Sequence, residues 1–129
     1  MVAIWPREVW PAWEDIVNIQ IFGTKKSFDT KKAQRWFKER RIRFQFIDVR
    51  EKEMSKGELQ SVARAVGGVD ALVNEGAKDE ETVALVQHLA ESQRFDKLLE
   101  NQQVLAEPIV RNGRAATVGY RPEVWETWE

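Results

Sequence analysis

The apolar positions in the first third of the chain switch between two periods. Residues 16–22 are apolar and alternating, which predicts a strand, and residues 23–27 form a basic loop that contains a glycine. The residues that follow have the spacing of one face of an amphipathic helix, and that face is formed by Ala33, Trp36, Phe37 and Arg40. A second strand is predicted by the alternating residues Ile42, Phe44 and Phe46. A strand, a helix and a strand at this spacing predict a right-handed crossover between two parallel strands.

The middle of the chain predicts a helical excursion. Ser55 and Glu58 have the spacing of a capping box, and the apolar stripe that follows them stops at Gly67. Asp79 and the two glutamates after it are typical of the first turn of another helix. The inward positions of that helix are expected to be Val83, Val86, Leu89 and Ala90. Helical spacing continues to about Gln103, so the excursion separates the two parallel strands from the last part of the chain.

The C-terminal part predicts a hairpin and a closing helix. Residues 105–111 and 114–119 resemble strands and are joined by Asn112-Gly113, which predicts a type I′ turn. Pro122 falls in the first turn of a helix that carries Val124, Trp125 and Trp128 on one side. The fold class is therefore α/β, a four-stranded mixed sheet in the order β-α-β, helical insertion, β-hairpin, α, flanked by helices. This order resembles a thioredoxin-like domain.

Residues 1–16 form a tryptophan-rich N-terminal extension, and residues 17–129 are predicted to form a single domain. Trp5, Trp10 and Trp13 are crowded around two prolines in the extension. Tryptophans this close together are rarely left in water, so they either fold back onto the domain or form a docking segment for another protein. Both interpretations stay open here, and the three tryptophans are the partner-binding candidates.

The amino-acid composition argues against several kinds of partner and of active-site chemistry. The chain has 129 residues, 43% of them hydrophobic, and 20 Lys and Arg against 21 Asp and Glu. This balance argues against nucleic-acid and membrane partners, and the absence of a long apolar run or a signal-peptide pattern favours the cytoplasm. With no cysteine and one histidine, we expect no disulfide, thiol nucleophile, metal or resident cofactor. The acids at residues 79–81 are interpreted as a helix cap rather than as metal ligands.

The loop between the first strand and the first helix is the candidate binding site. An open helix N-terminus at the end of a buried strand presents backbone N–H groups and positive dipole charge, so a small anion or polar ligand would bind there. The alternative is that its lysines form an ordinary solvated face. The candidate residues are Gly23, Thr24, Lys25, Lys26, Ser27, Thr30 and Lys31.

Four local strings stand at characteristic separations: FGTKKS at 22–27, TKKA at 30–33, LAEPIV at 105–110 and VGYRPE at 118–123. Together they resemble the arsenate reductase family, which also includes the Spx regulators and the YffB-like proteins. The likeness covers about residues 17–128. It implies a thioredoxin-like fold in which the residue before Pro108 faces the first loop, and it adds Pro108 to the candidate ligand site.

The same resemblance argues against the family's chemistry. It implies that the catalytic cysteine corresponds to Ser27, and that the second cysteine of redox-sensing members corresponds to Thr30. Glu107 stands where an arginine is expected before the late proline, and Asn74 stands where another arginine is expected. Both changes remove positive charge from the implied oxyanion site, and a serine is a far weaker nucleophile than a thiolate. The resemblance therefore implies a cysteine-free pseudoenzyme.

Ser27 has three interpretations. Ser27 or Asp29 can accept a hydrogen bond from the first N–H groups of the helix and act as its N-cap. Alternatively, Glu107 is a general base that acts on Ser27 or on a bound water. The third interpretation is that Ser27 is an engineered replacement of a native cysteine, which would leave Glu107 and Asn74 unexplained.

Three functions are compatible with the sequence. The first is a non-catalytic binding or regulatory module, since the resemblance includes Spx-like proteins that dock on a transcription enzyme. The second is a reductase in which bound glutathione or another small thiol supplies the sulfur, held by Lys25, Lys26 and the helix N-terminus. The third is an accessory protein associated with nitrogenase, a label that some members of the family carry.

Overall fold

The centre of the molecule is a four-stranded sheet, and the computed structural model describes residues 19–128 of the chain. The strands are β1 Ile19–Gly23, β2 Gln45–Asp48, β3 Ile109–Asn112 and β4 Ala115–Val118. Their order is β2-β1-β3-β4, with β1 parallel to β2 and antiparallel to β3, and with β3 antiparallel to β4. The predicted mixed sheet with a parallel first pair is confirmed. The start of the predicted first strand, residues 16–18, lies outside the described residues.

Helices surround this sheet. The α-helices are α1 Phe28–Glu39, α2 Lys56–Val66, α3 Glu80–His88, α4 Glu91–Glu100 and α5 Pro122–Trp125. Short 3-10 segments are formed by Val69–Leu72, Gln102–Val104 and Glu126–Trp128. We call residues 56–104 the helical insertion, because they separate β2 from β3. No helix within residues 19–128 has the length and apolar character needed to cross a lipid bilayer.

Polar side chains define the starts of α2 and α3. Ser55 Oγ accepts from the Glu58 N–H at 3.1 Å while the Glu58 carboxylate accepts from the Ser55 N–H at 2.9 Å, which confirms the predicted capping box. α2 ends at Val66, and its C-cap is Gly67, whose φ of 90° favours glycine. Asp79 caps α3 by accepting from the Thr82 N–H at 3.2 Å, which confirms the interpretation of these acids as a cap.

Two hydrophobic clusters lie on opposite faces of the sheet, because successive strand residues point to opposite sides. Phe22 and Ile109 belong to the first cluster, which we call the insertion core. Its members from the helical insertion include Leu59, Val62, Leu72, Val86, Leu98 and Val104. Ile21 and Val110 belong to the second cluster, which we call the helix core. Its other buried members are Ile19, Ala33, Trp36, Phe37 and Trp125.

The structure corrects the predicted hairpin turn. Asn112 pairs with Ala115, so the two turn residues are Gly113 and Arg114 rather than Asn112 and Gly113. Gly113 has a φ of 61°, whereas Arg114 has no positive φ. The type I′ prediction is therefore wrong, because that turn needs a positive φ at both central residues. Glycine takes the first central position, as it does in a type II′ turn.

Three helix and strand predictions are also corrected. Arg40 is the exposed C-cap of α1 rather than a core residue, and its guanidinium lies 4.0 Å from the ring centre of Trp36, where the charge stays in water. α3 ends at His88 because the backbone of Leu89 is extended, so Ala90 is exposed instead of inward and α4 is a separate helix. β2 begins at Gln45, whereas the alternating run that predicts this strand begins at Ile42.

A buried glutamine ties the helical insertion to the loop after β2. Gln102 is 4% exposed, and its Nε2 donates to the Met54 carbonyl at 2.8 Å while its Oε1 accepts from the Met54 N–H at 2.8 Å. The side-chain amide thus satisfies both backbone groups of Met54, as a neighbouring strand would.

Candidate functional site

The loop between β1 and α1 meets the segment that leads into β3. Phe22 of β1 pairs with Ile109 of β3, so the residues just after Phe22 lie beside those just before Ile109. The second group contains the cis peptide bond between Glu107 and Pro108. The sheet therefore brings together two stretches that are far apart in the sequence, and both contain candidate residues named above.

The Glu107 carboxylate lies among hydrogen-bond donors from the β1–α1 region. Its Oε1 accepts from the backbone N–H of Thr24 at 2.6 Å, from the Thr24 hydroxyl at 3.0 Å and from the Thr30 hydroxyl at 3.3 Å. The Thr24 hydroxyl also lies 3.3 Å from Oε2. We call these three donors the carboxylate cradle. Hydrogen bonds to an ionised acceptor are stronger than neutral ones, so the cradle holds the Glu107 side chain in place.

Two residues shape the cradle. Thr30 is fully buried in the first turn of α1, so its hydroxyl has no access to solvent. Gly23 has no side chain, and a Cβ there would lie 2.8 Å from Thr30 Cγ2 and 3.2 Å from Glu107 Oε1. Glycine therefore lets the end of β1 approach both the helix and the carboxylate.

Ser27 is the N-cap of α1, as the first of its three interpretations predicted. Its backbone is extended and its Oγ accepts from the Thr30 N–H at 3.2 Å. Within the described part of the chain, no hydrogen bond joins Ser27 to the Glu107 carboxylate, whose bonds go to the two threonines. The geometry places the serine in the helix cap rather than on the carboxylate.

The lysines of the candidate loop make no ion pair with Glu107. Lys25, Lys26 and Lys31 are all exposed, and among residues 19–128 no cation forms a salt bridge to the cradle carboxylate. Lys25 Nζ lies 3.9 Å from the Glu51 carboxylate, with side chains that are 76% and 70% exposed, so this pair contributes little to stability. The cradle thus binds a negative charge with neutral donors alone.

A groove of about 470 Å³ adjoins the cradle, and Glu107 is part of its wall. Its apolar lining comes from Phe22, Val49, Leu105 and Ile109. Lys26, Arg50 and Lys78 also line it, and their charged groups have no hydrogen-bond or ion-pair partner within residues 19–128. A volume of this size falls in the range of small-molecule sites.

Some sequence-predicted site residues lie elsewhere. Asn74 is exposed and does not line the groove, and its Oδ1 accepts from the Gly76 N–H at 3.0 Å in a turn of the helical insertion. Ser27 and Lys25 also do not line the groove, whereas Gly23 and Thr24 do. Lys31 is exposed on α1, and Pro108 is buried beside Glu107. The partner-binding candidates Trp5, Trp10 and Trp13 lie outside the described residues.

Two cations of the groove were missed by the sequence analysis. Arg50 follows the carboxyl end of the parallel strand β2, where ligands bind in open α/β sheets, so its position was a usable signal. Lys78 lies in the loop before α3, and only the fold of the helical insertion brings it to the groove. No local pattern around Lys78 predicts this position.

Two carboxylates have a lowered pKa, and neither belongs to the cradle. A hydrogen bond from the Thr82 hydroxyl, at 2.6 Å, holds the pKa of Asp79 below its usual 3.8, and Gln103 adds to this effect. A hydrogen bond from the Arg121 guanidinium, at 2.7 Å, lowers the pKa of Glu123. Within residues 19–128, no group of three or more His, Asp or Glu side chains is arranged to hold a metal ion.

Comparison with known proteins finds a matching family and similar structures. The model of the ArsC family matches residues 22–128. A Bacteroides fragilis protein described as ArsC family related has 19% sequence identity and a TM-score of 0.77, over 87% of this chain and 98% of its own. An arsenate reductase from Vibrio cholerae has 21% identity and a TM-score of 0.71, over 82% of this chain and 92% of its own. No curated protein sequence matches significantly.

Proposed function

Because this chain belongs to the ArsC family and has its thioredoxin-like fold, we propose that it is a non-catalytic member that acts as a binding or regulatory module. The observation that carries the proposal is the Glu107 carboxylate in the cradle formed by Thr24 and Thr30. The family resemblance places an arginine at this position, beside the oxyanion. In this protein Glu107 puts a carboxylate at that position, where it accepts hydrogen bonds from Thr24 and Thr30.

A second anion at this place would meet a charge of the same sign. A unit charge about 5 Å from the carboxylate is repelled by about 3 kcal/mol at an effective dielectric constant of about 20. An arginine in place of Glu107 would turn this repulsion into an attraction of similar size. No cation within residues 19–128 forms a salt bridge with Glu107, so no direct ion pair in the described structure neutralises the charge of this carboxylate.

The nucleophile is missing as well. The chain has no cysteine, and Ser27 Oγ serves as the cap of α1. A serine attacks only when a base removes its proton, and the one histidine of the chain, His88, is exposed at the end of α3. The scaffold therefore suits recognition better than group transfer.

Arsenate reduction and arsenate binding test this proposal. We expect background reduction from the wild-type chain and from Ser27→Cys, with glutathione or a dithiol protein as the reductant. The double variant Ser27→Cys/Glu107→Arg is expected to bind arsenate at least tenfold more tightly than Ser27→Cys, because the local charge changes sign. Turnover of arsenate by the wild-type chain would refute the proposal, and equal arsenate binding by the two variants would remove Glu107 from the argument.

The role of Trp5, Trp10 and Trp13 in partner binding remains a prediction. A pull-down with the full chain and with a chain that begins at residue 17 compares their partners directly. A protein recovered only by the full chain would support the docking role. Equal recovery of every protein by both chains would remove the N-terminal extension from the proposal.

The groove favours a second candidate function, a reductase that borrows the sulfur of a bound small thiol such as glutathione. Lys26, Arg50 and Lys78 have no partner within residues 19–128 and are available to its carboxylates. Amide NMR shifts at Thr24 would report binding, whereas Trp36 lies in the helix core on the other face of the sheet. If the shifts stay unchanged up to millimolar glutathione, this candidate is rejected.

A further inference from the structure

We infer that the carboxylate cradle is a binding site for a small monocarboxylate, which Glu107 fills as an internal ligand. The site takes a free carboxylate of the formate or acetate class when the Glu107 side chain is absent. The inference concerns the same site as the proposed function and adds the chemical class of anion that the site accepts.

The donors converge on a single oxygen. The Thr24 N–H, the Thr24 hydroxyl and the Thr30 hydroxyl all lie within 3.3 Å of Glu107 Oε1, and only the Thr24 hydroxyl approaches Oε2. One carboxylate oxygen can accept several hydrogen bonds while the other keeps its lone pairs for solvent. This arrangement suits the exposed end of a planar carboxylate, and Glu107 is indeed only half-buried.

The charge of the cradle limits the ligand to a monoanion. All three donors are neutral, and within the described residues no lysine or arginine pairs with the bound oxygen atoms. The first turn of α1 contributes only the partial positive charge of a helix N-terminus. Because the cost of removing an ion from water rises with the square of its charge, a dianion such as phosphate or arsenate needs cations in direct contact. Lys26, Arg50 and Lys78 lie on the wall of the groove but form no ion pair at the position of the Glu107 oxygens.

Free ligand has a route to the cradle. Glu107, Thr24 and Gly23 all line the groove, so shortening Glu107 joins the emptied space to that groove. Glu107→Ala removes one methylene group and the carboxylate, which together correspond to acetate. The buried hydroxyl of Thr30 then lacks its acceptor, and a bound carboxylate would remove the free-energy cost of that unsatisfied donor.

Acetate titration of the full-length Glu107→Ala protein tests the inference. With ¹⁵N-labelled protein at constant pH, and with chloride used to hold the ionic strength, we expect a saturable shift of the Thr24 amide signal that is absent from the wild type. At a pH at which phosphate and arsenate are dianions, both are expected to bind at least tenfold more weakly than acetate. The control is Asp96→Ala, which removes an exposed carboxylate of α4 that lies outside the groove and has no partner within residues 19–128, and it should leave the wild-type response unchanged.

Three results would overturn the inference. They are no response of Glu107→Ala to acetate or formate, an equal response of the wild type, and phosphate binding as tight as acetate binding. If Glu107→Ala is largely unfolded in chloride, the readout becomes the folded fraction by circular dichroism, which acetate should raise and phosphate should not. A silent titration would leave the non-catalytic proposal standing, whereas arsenate turnover by the wild type would refute only that proposal.

Discussion

The hydrogen bond between Thr30 and Glu107 gives the sharpest test of how the cradle contributes to stability. Thr30→Val keeps the branched shape of a fully buried side chain and removes the hydroxyl that donates to Glu107 Oε1 at 3.3 Å. A hydrogen bond to a charged acceptor contributes about 1.5–3 kcal/mol. The length of this bond places it at the lower end, so we expect the variant to lose about 1.5 kcal/mol of unfolding free energy.

Glu107→Ala should cost more than Thr30→Val. It leaves the buried Thr30 hydroxyl and the half-buried Thr24 N–H without their acceptor, and each buried unsatisfied group costs about 1–3 kcal/mol. Water can reach the Thr24 N–H through the groove, so we expect a total loss of about 2–4 kcal/mol. In the double variant the orphaned hydroxyl is gone, and the combined loss should fall short of the sum by about 1 kcal/mol.

Urea unfolding of the wild type, the two single variants and the double variant measures this coupling, provided that the slope with denaturant stays the same. Glu53→Ala serves as the control and should change the unfolding free energy by less than about 0.5 kcal/mol, since Glu53 is exposed. The reasoning fails if the loss of unfolding free energy in the double variant equals the sum of the two single losses to within about 0.3 kcal/mol, because the hydroxyl and the carboxylate are then not coupled.

Other predictions concern backbone, cap and pH. Gly23→Ala should destabilise the fold by about 1–3 kcal/mol, because the new Cβ would lie 2.8 Å from the Thr30 methyl group. Gly57→Ala is the control and should not destabilise the fold, since the space around Gly57 is open. Thermal unfolding compares the two variants. Ser27→Ala should cost about 1 kcal/mol through loss of the α1 cap and Ser27→Asn much less; equal losses would contradict a capping role. The bond from Thr82 that lowers the pKa of Asp79 stabilises the fold above the unfolded value of 3.8, and this stabilisation is lost as the pH falls below it. Acid unfolding of Asp79→Ala should therefore show a shallower loss of stability below that pH, and an unchanged curve would refute the assignment.

Elements whose signals lie within a few residues were predictable. The spacing of Ser55 and Glu58 was enough to predict a capping box, and the helix stop at Gly67 needs only a residue that tolerates positive φ. The hairpin turn was misplaced by one residue because Gly113 fits either position locally. The pairing of β3 with β4 decides between the two turn positions. A shift of this pairing by one residue would turn each side chain of the shifted strand to the opposite face of the sheet.

The location of the candidate site was predictable from the family resemblance, but its contacts were not. Glu107 lies 83 residues from Thr24 and 77 from Thr30, so no spacing rule could show that both threonines donate to its carboxylate. Lys78 reaches the groove only through the packing of the helical insertion. Asn74 was placed at the site by a local alignment, and it lies in a turn outside the groove.

The insertion core limits how far this fold can be shortened or recombined. Deleting residues 56–104 would remove most of the apolar side chains that cover one face of the sheet and leave Phe22 and Ile109 facing water. A bare sheet face of that kind promotes aggregation. The helical insertion is therefore the cover of one face of the sheet. A shortened or chimaeric protein must replace it with a segment that also closes one side of the groove.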